Sequence, residues 1–151
     1  MEPAGSDLLN RKPRDPKEPL LSGDLIKRIG LQGLLIAVPV MTAFYLGYRT
    51  GTAEAMTMAF ATLTLARLFH GFNCRGENSI FRLGLSTNRA SLGAFAAGVV
   101  LLCAVLFIPG LNGLFQISPF TLAQMGQIVL LAVLPTAAIQ IWKVLRDHWK
   151  W

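Results

Sequence analysis

The sequence predicts an all-α, polytopic membrane protein with four transmembrane helices and both termini in the cytosol. Of its 151 residues, 53% are hydrophobic and only 15% are charged, and the mean hydropathy is +0.50. The apolar residues form blocks long enough to cross a bilayer, and Lys and Arg gather at the ends of these blocks. Soluble domains usually carry about 25% charged residues, so burial in lipid explains the composition better than a soluble core.

Two domains are expected. Residues 1–24 form a Pro-rich, charged cytosolic strap, because its spaced prolines prevent a helix. Residues 25–151 form a four-helix transmembrane domain, in which residues 25–30 make a polar turn before the first span. An uncharged loop at 110–119 is expected before the last span. The four spans are predicted at about residues 31–48, 54–72, 90–109 and 121–142.

The positive charges predict the orientation of the spans. The N-terminal arm, the loop between the second and third spans, and the C-terminal tail carry six, three and three Lys or Arg residues. The loops on the opposite side carry Arg49 alone. Because positive residues stay on the cytosolic side, both termini are expected there, and the plasma membrane is the expected location.

The sequence lacks the common motifs of enzymes and of nucleotide-binding proteins. It has no GxxxxGK[ST] or GxGxxG pattern, and its two cysteines, Cys74 and Cys103, are too few for a disulfide framework or a metal site. We therefore expect no catalytic residue, cofactor or metal site in this chain, and no enzymatic activity on its own. The net charge of +6 does not indicate nucleic acid, because the cations flank apolar blocks that are expected to contact lipid.

Arg67 is the residue most in need of explanation. An arginine near the centre of a spanning helix costs about 2.5–3.5 kcal/mol. One interpretation is that its side chain extends to the cytosolic end of the span, about 9 Å away. The other is that Arg67 faces the helix bundle beside an ion path, alone or paired with a carboxylate from another chain. His70, three residues later, is a second candidate for this path, although interfacial histidines usually serve as hydrogen-bond partners.

Other polar residues near the spans have simpler expected roles. Arg49 and Glu54 flank the turn between the first two spans and are candidates for an exposed ion pair, which contributes little stability. The threonines of the second span are expected to donate to their own helix carbonyls. These threonines are Thr57, Thr62 and Thr64.

Three blocks resemble P-type calcium-transporting ATPases. RKPRDPKEPLLS at 11–22 resembles the strap that follows the sixth membrane helix of that family. TMAFATLTLARLFHGFNCR at 57–75 resembles the eighth helix, and LSTNRASLGA at 85–94 resembles the start of the ninth. The resemblance extends over about residues 7–147, with the three motifs in the family's order.

This resemblance implies that the four spans correspond to helices seven to ten of such a pump. The phosphorylated aspartate, the nucleotide and actuator domains and most cation ligands would then lie N-terminal to Met1, and that N-terminal portion is the expected partner. The family usually places Glu or Gln of a cation site at the position of Arg67. A guanidinium offers no lone pair to a metal. The resemblance therefore implies a lost site, a built-in counter-charge or a decaying gene fragment.

Two functions remain open at this point. The first is the C-terminal membrane subdomain of a calcium-type cation pump, which supports the ion-translocating helices and is inactive alone. The alternative is a free-standing four-helix membrane protein, acting as a regulatory or structural subunit or as a non-functional gene fragment. A passive channel is less favoured, because the spans offer little polar lining.

Overall fold

The computed structural model describes residues 23–73 and 89–148, so the predicted strap lies almost entirely outside the described residues. The described part of the chain is all helical and contains five helices. They are α1 (Gly23–Tyr48), α2 (Thr52–Asn73), α3 (Arg89–Phe107), α4 (Pro109–Phe115) and α5 (Leu122–His148).

Helix α1 begins at Gly23, well before the expected start of the first span. The expectation of a turn at 25–30 is therefore wrong, and these residues are helical. Leu25, Ile26 and Ile29 supply apolar side chains at helical spacing, and no proline lies between Gly23 and Pro39. Pro39 is buried inside the helix, as helices packed against a neighbour tolerate.

A tight turn joins α1 to α2. The backbone N–H groups of Thr50 and Gly51 both donate to the carbonyl of Gly47, at 2.9 and 3.0 Å. A Cβ at Gly47 would lie 2.7 Å from the Cα of Ala55 on α2. Glycine at this position therefore lets the two backbones approach closely. The turn that follows it makes α1 and α2 an antiparallel hairpin.

Helix α2 is the central element of the bundle. It packs against α1, α5 and α3, whereas α3 contacts mainly α2 and α4. The core between the helices combines small and large apolar side chains. Its buried members are Ala43, Met58, Ala61, Leu102, Leu106 and Ile128. Small residues on α2 thus allow three other helices to pack close to the α2 axis.

The segment between α3 and α5 is more ordered than the predicted loop. Helix α4 starts with Pro109 in its first turn, where a proline removes no helical hydrogen bond. It ends at Phe115 and is followed by Gln116, whose φ of 53° is left-handed. The N–H of Ile117 then donates to the carbonyl of Asn112 at 2.9 Å. With seven residues, α4 is about 10 Å long and too short to cross a bilayer.

Three described helices are long and apolar enough to cross a membrane: Leu25–Tyr48, Ala90–Phe107 and Leu122–Leu145. The last continues as helix α5 to His148, six residues beyond the predicted end of the span. Helix α2 has 22 residues but is not among the three. It carries Glu54, Arg67 and His70.

Candidate functional site

Helix α2 has one face covered by neighbouring helices and one face left open. The open face, here called the Arg67 face, consists of exposed residues at every third or fourth position. They are Met56, Phe60, Leu63, Arg67 and Gly71. The opposite face is buried and built largely from small side chains. Its residues include Ala55, Met58, Ala61, Thr62 and Ala66.

Arg67 lies on the open face, where the described helices do not cover it. It forms no ion pair with any other residue that the structure describes. Its stripe is otherwise apolar and continues with Leu63 one turn earlier. The guanidinium is therefore directed away from the bundle formed by this chain.

His70 lies in a different environment from Arg67. Three residues turn a helix by about 300°, so the two side chains diverge by about 60°. His70 is half-buried, and its Nδ1 atom is buried with no hydrogen-bond partner among the described residues. It interacts electrostatically with Lys143 of α5, which is only 7% exposed. His70 thus belongs to the contact between α2 and α5.

The other end of α2 carries a polar cluster, here called the Glu54 corner, formed by Glu54, Thr57 and Ser118. The Ser118 hydroxyl donates to Oε1 of Glu54 at 2.9 Å, and the Ser118 N–H donates to Oγ1 of Thr57 at 2.9 Å. Thr57 in turn donates to the Ala53 carbonyl at 3.0 Å. The corner therefore fastens the segment before α5 to the first turn of α2.

The predicted pair between Arg49 and Glu54 is not formed in the described structure. The Arg49 guanidinium instead lies 5.4 Å from the centre of the Tyr45 ring, where a cation is attracted by the aromatic face. The Glu54 carboxylate turns toward Gly51 and accepts the bond from Ser118.

The threonine prediction is confirmed at two of three positions. Thr57 and Thr64 donate to the carbonyls of Ala53 and Phe60, at 3.0 and 2.8 Å. It is wrong for Thr62, whose buried hydroxyl has no partner among the described residues.

A small cavity of about 130 Å³ lies where the Arg67 face meets α4. Its lining residues are Met56, Thr57, Phe60, Phe115, Gln116 and Ile117. The Phe60 and Phe115 rings are 6.3 Å apart. The described residues include no group of three or more His, Cys, Asp or Glu side chains able to hold a metal ion, and Cys103 is a free, exposed thiol.

Comparison with known proteins decides the family. Residues 1–145 match the family described as "Cation transporting ATPase, C-terminus". The chain belongs to this family. Together with its apolar helices, this makes it an integral, multi-pass membrane protein and a C-terminal membrane part of a P-type cation ATPase.

Relatives of this ATPase family agree with the assignment. The chain is 33% identical to a "Calcium-transporting ATPase" of Bacillus subtilis, over 90% of the chain and 16% of that protein. It is 29% identical to "Calcium-transporting ATPase 1" of Bacillus cereus, over 98% of the chain and 19% of the relative. A "Probable cation-transporting ATPase F" of Mycobacterium tuberculosis is 29% identical over 91% of the chain. The chain spans less than a fifth of the length of the Bacillus relatives.

Sequence analysis missed two polar interactions in this member of the ATPase family. Ser118 joins Glu54 across 64 positions of the chain, and Lys143 of α5 interacts electrostatically with His70 of α2. In the sequence, Lys143 looks like the other cations of the C-terminal tail. It is the first of them and directly follows apolar residues, and this position is the one feature of the sequence that indicates its burial.

Proposed function

We propose that this chain supports the ion-translocating helices of a P-type cation pump and is inactive without the N-terminal portion of that pump. The observation that carries the proposal is the Arg67 face. Helix α2 is covered on one side by α1, α3 and α5, and its other side remains open apart from the contact of Phe60 with α4. A central helix with one open side is expected if helices from the N-terminal portion of the pump pack against that side.

Arg67 faces the ion path of the assembled pump in this proposal. A permanent cation on an otherwise apolar stripe costs free energy in hydrocarbon, and a carboxylate on the partner would offset that cost. The resemblance of residues 57–75 to the eighth helix of the family suggests a cation-site position here. Because a guanidinium cannot ligate a metal, Arg67 acts there as a fixed counter-charge, and His70 borders the path from the α5 side.

The proposed topology has four spans with both termini in the cytosol. The proposed location is the plasma membrane. Three helices qualify as spans by length and composition. Helix α2 crosses as the fourth, because a helix covered by three neighbours exposes less surface to lipid and tolerates more polar residues. The cytosolic termini follow from the twelve Lys and Arg residues on that side against Arg49 on the other.

Reassembly of the pump tests the proposed function. The chain is co-expressed with the N-terminal portion of a calcium-transporting relative, and co-purification and ATP-dependent cation uptake into vesicles are measured. We expect the two parts to co-purify and uptake to require both. If the parts do not associate, the proposal is wrong and the free-standing alternative is favoured.

The role of Arg67 is tested separately in the reassembled pump. Arg67→Gln restores the amide that the family resemblance suggests, and it is expected to change the number of cations moved per ATP. Arg67→Lys keeps the charge and is the matched control. An unchanged ratio in Arg67→Gln would favour a side chain that extends to the membrane surface instead.

A further inference from the structure

Two threonine hydroxyls inside the bundle lack the partner that other helical threonines have. Thr42, Thr57 and Thr64 each donate to the carbonyl four residues earlier. The hydroxyl oxygens of Thr62 on α2 and Thr136 on α5 are buried and have no hydrogen-bond partner among the described residues. Thr62 is 0% exposed. Buried polar atoms without a partner are rare and call for an explanation such as a bound water.

The two hydroxyls lie at the same depth. Helices α2 and α5 start at the same end of the bundle, since Nε2 of Gln124 on α5 donates to Oγ1 of Thr50, just before α2, at 3.5 Å. Thr62 lies twelve residues after Thr50, and Thr136 lies twelve residues after Gln124. At 1.5 Å per residue both separations are about 18 Å, so the depths of the two hydroxyls are similar.

A third polar group lies in the same stretch of α5. Pro135 is fully buried inside this helix and has no N–H to donate to the carbonyl of Leu131, four residues earlier. Leu131 itself packs against the core that contains Met58 of α2. The helix therefore presents a free carbonyl within the turn that leads to Thr136, on a segment that packs against α2.

We propose that a bound water molecule bridges α2 and α5 between Thr62, Thr136 and the Leu131 carbonyl. A buried water usually makes about three hydrogen bonds, and these three groups supply that number. The water donates to the carbonyl and forms one hydrogen bond with each of the two hydroxyls. It replaces the helical bond that Pro135 removes, and it links the two helices at the level of the proline.

Water-edited solid-state NMR tests this site in the full chain, reconstituted in lipid bilayers and labelled at threonine. Magnetisation is transferred from water, and the growth of each threonine signal is followed. We expect the Thr62 and Thr136 signals to grow several-fold faster than that of Thr64. Thr64 is the matched control, because it lies two residues from Thr62 on the same helix and binds the Phe60 carbonyl. The proposal is wrong if the signal of either Thr62 or Thr136 grows no faster than the signal of Thr64.

A substitution tests whether the two hydroxyls share one water. Thr62→Val keeps the shape of the side chain and removes its hydroxyl, and it is expected to slow the growth of the Thr136 signal toward the rate of Thr64. Thr64→Val is the control and should leave Thr136 unchanged. A Thr136 rate that does not respond to Thr62→Val refutes a shared water. If Thr62→Val does not fold, the reciprocal variant Thr136→Val, read at the Thr62 signal, makes the same comparison.

Discussion

Helices α2 and α3 reverse the usual relation between apolar composition and burial. Helix α3 is almost entirely apolar, yet only Leu102 and Leu106 are buried among its residues from Ala90 to Phe107. Helix α2 carries Glu54, Arg67, His70 and several threonines, and it is packed by three helices. In a membrane protein the apolar residues face lipid, so the most apolar helix is the peripheral one and the polar helix occupies the centre.

The largest expected effect concerns insertion into the bilayer. As a single segment in a translocon insertion assay, α3 should insert efficiently and α2 poorly. Arg67→Leu should improve the apparent insertion free energy of α2 by about 3–4 kcal/mol, because it replaces a costly cation with a favourable apolar side chain. Ala66→Leu on the same helix is the control, with an expected change below about 1 kcal/mol. Equal insertion of unmodified α2 and α3 would contradict the comparison.

The next effect concerns the close packing of α2. Gly47→Ala should destabilise the chain by about 1–3 kcal/mol, because the new Cβ meets the backbone of Ala55, which cannot move aside easily. The measurement is the free energy of unfolding by SDS in bicelles. Gly93→Ala on α3 is the control, since nothing lies within 4 Å of its Cβ position. The comparison fails if both variants are equally stable.

A smaller loss is expected at the Glu54 corner. Ser118→Ala removes the hydroxyl that donates to the Glu54 carboxylate at 2.9 Å. Such a bond to a charged group contributes about 1.5–3 kcal/mol when buried, and about 1 kcal/mol is expected at this partly buried site. The same unfolding assay measures it, with Gln127→Ala on an exposed position of α5 as the control. A stability equal to that of the control would show that the corner does not fasten α2.

The smallest effect lies at the contact between the two compared helices. Gly98→Ala places a Cβ 2.5 Å from Cδ2 of Leu68, the far end of a flexible side chain that is able to move. We expect less than about 1 kcal/mol of destabilisation, because an adjusting leucine relieves most of the overlap. A loss as large as that of Gly47→Ala in the unfolding assay would mean that α3 packs as tightly on α2 as α1 does.

The sequence predicted both ends of α2 and α3 to within two residues and the start of α5 to within one, whereas α1 begins eight residues earlier than expected. It missed α4, because a seven-residue helix in an uncharged segment has no clear periodicity. It also placed a turn at 25–30, since Lys27 and Arg28 obscured the apolar residues around them. Charge near a helix end indicates the membrane boundary, whereas the helix itself continues beyond that boundary.

The candidate site was predictable only as a set of residues. Arg67 stands out in the sequence because an arginine in an apolar helix is costly. The face that it occupies depends on which sides of α2 its neighbours cover, and local sequence does not contain that information. For the same reason, the electrostatic interaction of His70 with Lys143 and the Thr62 hydroxyl without a partner among the described residues emerged only from the three-dimensional arrangement.

The Glu54 corner also limits how the bundle can move. The turn at Gly47 ties α1 to α2 at that end, and Ser118 ties the segment leading into α5 to the same place. We therefore expect the relative motion of these helices to be smallest at this end and larger toward His70 and Lys143.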